Sequence, residues 1–173
     1  MALRYALLGA LADRPRTGYE LLKHFEQSLA YAWPASHSQI YPELSRLRVE
    51  GLIEQTGSGA RNSKTYAVTD AGLAETRRWL RETEPDRRVR SDAALRTFFL
   101  WLLDPAEARD QLERERMHWR DRLSELERIR EGPRGPGRKE QAFKIALEGG
   151  IRSIETRLEW LAWAETELET NSQ

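Results

Sequence analysis

The chain has 173 residues, 32% of them charged, with 28 lysines and arginines balanced by 28 aspartates and glutamates, no cysteine and three histidines. That length fits a small domain plus an extension, and the balanced charge provides no global basic field, so any nucleic-acid binding must come from a local patch. Without cysteine there is neither a disulfide framework nor a thiolate metal site, and His24, His37 and His118 are too scattered to suggest zinc, so no metal or other cofactor is expected.

The N-terminal run "ALRYALLGALADR" is apolar for too few residues to be a secretory core or a membrane span, and a cytoplasmic protein without membrane contact is expected. Leu3, Leu7, Leu8 and Leu11 instead have the spacing of one face of a soluble helix. The turn "DRPRTG" stops that helix. Thr17 and Glu20 then form a capping-box pattern, and the helix they open buries Leu21, Leu22 and Phe25. After "AYAWPA" a third helix of about four turns, "SHSQIYPELSRLRVEG", ends at Gly51, a natural C-terminal cap. Two short runs, "LIEQTG" and "KTYAVT", flank the glycine- and serine-rich "GSGARNS" and predict a β-hairpin. Thr69 opens a fourth helix in which Leu73, Thr76 and either Trp79 or Leu80 mark the inner face. Helix, helix, helix, hairpin, helix is the order of a winged helix-turn-helix.

Residues 1–84 are assigned to this unit, 85–91 to a polar linker, and 92–173 to a helical domain. "DAALRTFFLWLL" predicts one short, very apolar helix, after which Asp104 or Pro105 opens a long helix reaching about Ile129. Leu112, Trp119 and Leu126 recur there every seven residues, with Leu123 and Ile129 beside them. A final helix from about Lys139 to Leu168 repeats the pattern at Leu147, Ile154, Leu161 and Leu168, flanked by Phe143 and Leu158. The short connection makes the pair antiparallel and coiled-coil-like. The fold class expected is therefore mainly α with a small β-hairpin wing. A helical hairpin leaves apolar surface over, which a homodimer would cover, with Phe99, Leu147, Ile154, Leu158 and Leu161 as the expected interface.

On a wheel of about 100° per residue Leu44 and Leu47 fall close to Ile40, so the third helix packs on that face. Ser38, Tyr41, Pro42, Ser45 and Arg46 point away. With Gln39 they supply the hydroxyls, amide, guanidinium and phenol by which a helix contacts base edges and phosphates of double-stranded DNA. Ser36 and Gln39 form a second capping box, leaving free N–H groups at the helix start for phosphate. Pro42 removes the hydrogen bond to the Ser38 carbonyl and loosens the first turn, aiming it toward a groove. Arg61, Asn62, Ser63 and Lys64 at the hairpin tip form a local basic patch for the backbone or minor groove. A basic pair on a hairpin is ordinarily a solubility feature, and a proline in a helix an ordinary kink. The order of elements ties the two segments into one interface.

In order and spacing, "LLGALADRPRTGYELLKHFE", "WPASHSQIYPELSRLRVEGLIEQ" and "RNSKTYAVTDAGLAETRRWL" resemble the PadR-like transcriptional regulators. The segments G-Y-E-L, Q-I-Y-P-x-L-x-R-L-x-x-x-G-L-I and K-x-Y-x-x-T-x-x-G carry the resemblance over the first 80 or so residues, and the helical half resembles the larger PadR subgroup by pattern. The resemblance implies a winged-helix DNA-binding domain, a homodimer held by the C-terminal helices and repression at a palindromic operator. It implies a reading helix from Ser36 to Leu47 with Ser38, Gln39 and Tyr41 at the DNA, and Pro42 at the motif's own proline. It further implies a wing from Gly57 to Tyr66, with Lys64 and Tyr66 matching, and a phosphate contact from Tyr19. His37 departs from the small or glycine residue frequent beside the helix start. Some members respond to small aromatic molecules, and Phe98, Trp101 and Trp119 would be the stacking platform for one here. Tryptophans at helical spacing read equally as core or dimer interface.

An enzyme is not expected. No G-x-S-x-G, phosphate loop or H-E-x-x-H occurs, and "GSGARNSK" lacks the G-K-[ST] ending of a phosphate loop. The alternative is a winged-helix module that binds protein without specific DNA binding.

Overall fold

The computed structural model describes residues 2–26, 35–58, 63–87, 91–133 and 135–170. Helix α1 (Ala2–Asp13) turns Leu7, Leu8 and Leu11 into the core, with Leu3 at its edge. Its C-terminal carbonyls would be orphaned, and Arg16 answers them. The guanidinium is buried, its Nε donating to the Ala10 carbonyl at 3.2 Å and its terminal nitrogen to Asp13 Oδ2 at 2.8 Å.

Arg16 lies in a two-residue strand, β1 (Arg16–Thr17), which leads directly into α2 (Gly18–His24). The Thr17 capping box forms as the spacing predicts: the Thr17 N–H donates to Glu20 Oε2 at 2.7 Å, and the Glu20 N–H to Thr17 Oγ1 at 3.2 Å. Helix α3 (His37–Val49) buries Ile40, Leu44 and Leu47 completely and runs uninterrupted through Pro42. Gly51, at φ +71°, supplies the left-handed residue that ends it.

Strands β2 (Ile53–Ser58) and β3 (Lys64–Val68) pair antiparallel, with an irregularity between Gln55 and Gly57. The expected hairpin is extended by β1, which places Arg16 opposite Tyr66 and Thr17 opposite Thr65, giving a three-stranded sheet in the order β1-β3-β2. A two-residue strand shows no alternation, so sequence pattern cannot find it.

Helix α4 (Asp70–Glu82) starts at Thr69, whose hydroxyl accepts from the Gly72 N–H at 3.1 Å and donates to the Gly51 carbonyl at 2.8 Å. Gly72 lies so close to β2 that a Cβ there would be 2.1 Å from the Leu52 carbonyl oxygen. The inner face of α4 runs through Trp79, which stacks on Tyr5 with ring centroids 4.5 Å apart and planes 5° apart; Leu80 is 69% exposed. The Tyr5 hydroxyl donates to Glu75 at 3.0 Å and ties the same face to α1.

Residues 1–87 and 88–173 form two separate units. The second begins with α5 (Asp92–Thr97), capped by Ser91. The expected single apolar helix stops at Thr97, and a 3-10 turn follows at Leu100–Leu102. Its last turns tighten into bonds three residues apart, Phe99 N–H to Arg96 and Leu102 N–H to Phe99, a common way for a helix to end.

Helix α6 (Pro105–Glu131) is capped by Asp104 Oδ1, which accepts from the N–H groups of Ala106 and Glu107 at 2.9 Å each. Helix α7 (Arg138–Thr170) follows Gly137, at φ +128°. Arg157 lies over the Trp119 ring, while Arg116, earlier in α6, pairs at 3.4 Å with Glu165, later in α7, so the two helices run antiparallel. Ala108, Leu112 and Leu126 on one helix and Leu147, Ile151, Ile154 and Leu161 on the other are buried within this single chain.

That burial corrects the expected dimer interface. Leu147, Ile154 and Leu161 are covered by the chain itself and Leu158 is half-buried; only Phe99 of the five is exposed. A heptad stripe supplies one contact face, and the partner helix in the same hairpin uses it first. Among the apolar side chains of this unit left in solvent are Leu95, Phe98, Phe99, Trp101, Leu102, Met117, Ile145 and Trp163.

Candidate nucleic-acid interface

The outward face of α3 carries what the helical wheel predicts: Ser38, Tyr41, Pro42, Ser45 and Arg46 are all exposed. At its start the Ser36 N–H donates to Gln39 Oε1 at 3.0 Å, the Ser36 hydroxyl reaches the same oxygen at 3.1 Å, and the Ser36 and Ser38 hydroxyls are 2.9 Å apart. The box that sets the first turn therefore occupies the Gln39 oxygen with two donors. Only its amide nitrogen remains to face a base, so the paired amide contact to adenine is not preformed. Arg46 is paired with Glu43 at 3.2 Å, an exposed ion pair of small net worth that leaves the guanidinium able to swing to a phosphate.

Tyr41 organises the centre of the face. The His37 ring lies against it, centroids 4.2 Å apart and planes tilted by 33°, and the Ser45 hydroxyl donates to the Tyr41 carbonyl at 3.2 Å. Beside Tyr41, the start of α2, α3 and the base of the wing enclose a cleft of ≈ 460 Å³. Tyr19, Tyr41, Ser45, Ser63, Lys64 and Tyr66 line it together with Thr17 and Gly18. Lys64 has no carboxylate partner among the described residues, and no carboxylate lines the cleft. At its edge Glu20 holds the Thr17 cap; the Thr17 N–H and then its hydroxyl keep the Glu20 carboxyl below the ordinary glutamate value.

Tyr19 and Lys64 are exposed, as a DNA-facing role requires. Tyr66 is not. Only 8% of it is exposed and it belongs to the core cluster of the first unit, so a residue expected at the DNA is chiefly packing and presents one edge to the cleft. Its place in the middle strand, opposite Arg16 and Gln55, accounts for the burial. Arg61 and Asn62 lie outside the described residues. Thr17 and Gly18 were missed as site residues. Glycine immediately after an N-cap, where almost any residue would serve a helix better, was the available signal of a close approach.

The three aromatic residues expected to hold an effector do not converge. Trp119 lines a space of ≈ 10 Å³ with Leu112, Trp160 and Leu161, too small for an aromatic ring. Phe98, with Ala94, Thr97 and Trp160, lines a separate open recess of ≈ 270 Å³, and Trp101 borders neither. Trp160 and Thr97 line both spaces, a role that the heptad-flanking position of Trp160 does not reveal.

Comparison with known proteins places this geometry. Residues 7–78 match the Transcriptional regulator PadR-like family, and residues 89–169 match the family described as Virulence activator alpha C-term. The chain is 35% identical over 129 residues to the negative transcriptional regulator PadR of Bacillus subtilis, covering 72% of this chain and 71% of that one. It is 32% identical over 178 residues to a probable transcriptional regulator of Mycobacterium tuberculosis, covering 93% and 94%. Among solved structures, Bacillus subtilis PadR in complex with operator DNA matches with a TM-score of 0.85 at 28% identity, over 97% of this chain and 99% of that one. The same protein in complex with p-coumaric acid matches with a TM-score of 0.82 at 28% identity, over 98% and 99%. With a winged-helix unit, an exposed polar face on α3 and relatives that cover 72% and 93% of it at 35% and 32% identity, the chain belongs to the PadR-like family of transcriptional regulators.

Proposed function

We propose that this protein is a sequence-specific DNA-binding regulator that acts as a homodimeric repressor at a palindromic operator. The observation that carries this is the α3 face beside the cleft: hydroxyls, an amide and a lysine on one surface, with no carboxylate pairing that lysine or lining the cleft among the described residues. Bacillus subtilis PadR, of similar fold, is named a negative regulator and was solved on operator DNA. On this reading Ser38, Gln39 and Arg46 meet the major groove, while Tyr19, Tyr41, Ser63 and Lys64 hold backbone phosphates. Phe98, Phe99, Trp101 and Trp163, exposed in the single chain, are the dimer surface. In a symmetric dimer the half-sites lie about one helical turn, roughly 34 Å, or a multiple of it apart.

Release by a small aromatic molecule is the regulatory half of the proposal. It is supported by the PadR complex with p-coumaric acid and by the Phe98–Trp160 recess, whose lining is almost wholly apolar.

The test is a gel-shift titration on the DNA upstream of the protein's own gene, beside a scrambled duplex, at two salt concentrations. A preference of about a thousandfold that falls steeply with salt is expected, and Lys64→Ala should flatten the salt dependence by about one charge per subunit. No binding at low salt would overturn the DNA reading in favour of a protein-interaction module.

A further inference from the structure

Tyr41 is an exposed aromatic residue on a reading helix, and such a side chain ordinarily samples several rotamers. Here it has two supports on different elements. One is the His37 ring, 4.2 Å away. The second is Gly18, the first residue of α2: a Cβ built there would fall 2.8 Å from Tyr41 Cε1, 2.9 Å from Cζ and 3.1 Å from the hydroxyl oxygen. Real Cβ atoms essentially never approach heavy atoms under 3.0 Å, so any side chain at position 18 would displace the phenol. Gly18 has ordinary helical backbone, with no positive φ to explain a glycine. Close approach of the Tyr41 ring sets it apart from Gly9 and Gly149, helical glycines with nothing within 4 Å of a Cβ.

The phenol so held borders the cleft at the junction of α2, α3 and the wing. Among the described residues its lining holds the ammonium of Lys64 and the hydroxyls of Tyr19, Tyr41 and Ser63, and no carboxylate. That is the chemistry of a seat for a singly charged phosphodiester: donors to satisfy its oxygens and one cation to offset its charge.

We propose that Gly18 is a positioning residue for DNA binding: by omitting a side chain it lets Tyr41 lie against both α2 and His37, fixing the Tyr41 hydroxyl beside Lys64 to grip one backbone phosphate. The proposal rests on the DNA-binding reading above. It makes His37 the backing of Tyr41 and assigns Gly18, which makes no base contact, a share of the affinity.

Phosphate contacts are independent of sequence, so the test needs no operator. Affinities of the full-length protein for a mixed-sequence duplex at low salt are measured for wild type, Gly18→Ala, Tyr41→Phe, Tyr41→Ala and the Gly18→Ala/Tyr41→Ala double variant. Gly18→Ala, Tyr41→Phe and Tyr41→Ala should each weaken binding about tenfold, the worth of one hydrogen bond to a charged group. The double variant should bind as Tyr41→Ala does, because the alanine then has no ring to displace. Multiplicative losses, near a hundredfold in the double variant, would overturn the proposal, as would full affinity of Gly18→Ala. Should Gly18→Ala fail to fold, the comparison of Tyr41→Ala with the double variant carries the same test. Binding by wild type with independent penalties defeats this inference alone; wild type that binds no duplex defeats the DNA reading and this inference with it.

Discussion

Alanine normally stabilises a helix relative to glycine by about 1 kcal/mol, but at position 72 the same change should do the reverse. The added Cβ would lie 2.1 Å from the Leu52 carbonyl oxygen and 2.8 Å from Val68 Cγ2, where 3.0 Å is the closest real approach. Helix α4 must therefore move off β2 by about 1 Å, a crowding that typically costs about 1–3 kcal/mol. The Leu52 carbonyl also accepts the Thr69 N–H at 3.1 Å, and Thr69 caps α4 through the Gly72 N–H. Stretching this junction loses about 1 kcal/mol of hydrogen bonding and about 1 kcal/mol of capping. After the gain in helix propensity, Gly72→Ala should destabilise the first unit by about 2–4 kcal/mol, a fall in Tm on the order of 10–30 °C for a unit of this size. Gly149→Ala is the control: it lies in α7 with nothing within 4 Å of its Cβ, and should raise stability by up to about 1 kcal/mol. Thermal and urea unfolding followed by circular dichroism measure both. A Gly72→Ala protein as stable as wild type, or a Gly149→Ala protein equally damaged, would refute the steric argument.

On α4, Trp79→Ala should cost about 2–3 kcal/mol by removing the stack on Tyr5, while Leu80→Ala should stay within about 0.5 kcal/mol, as urea midpoints will measure. In the second unit Ile154→Ala should destabilise the α6–α7 hairpin by about 2–4 kcal/mol, whereas Trp101→Ala, 76% exposed in the single chain, should leave the fold intact and shift sedimentation from dimer toward monomer. A Trp101→Ala protein that sediments as wild type would remove that residue from the proposed dimer surface. The Glu20 carboxyl is held low by the Thr17 N–H, so the stability it adds is present above the ordinary glutamate value and is lost as pH falls through its lower folded value. Urea midpoints from about pH 6 down to pH 3 should therefore fall in wild type, and fall less in Glu20→Gln.

Local chemistry was legible in the residues. Thr17 with Glu20, Ser36 with Gln39, Asp104 with Pro105 and Gly51 each act within a turn of where they stand, so spacing alone located the helix ends. The inward sets Leu7, Leu8, Leu11 and Ile40, Leu44, Leu47 followed from the helical period, and the outward face of α3 followed by subtraction. Periodicity tells which face is apolar and is silent about what covers it.

Tertiary structure decided everything that depends on a distant partner. Strand β1 exists because β3 passes beside Arg16 and Thr17, and Tyr66 is core because it lies in the middle strand. Leu147, Ile154 and Leu161 are spent inside one hairpin, which moves the surplus apolar surface to Phe98, Phe99, Trp101 and Trp163. The requirements at Gly18 and Gly72 arise from Tyr41, 23 positions along the chain, and Leu52, 20 positions back. A sequence states which residues can turn, cap or bury, because those properties are local. Which of them meet is set by excluded volume among elements far apart in the chain, and that is settled only when the chain packs.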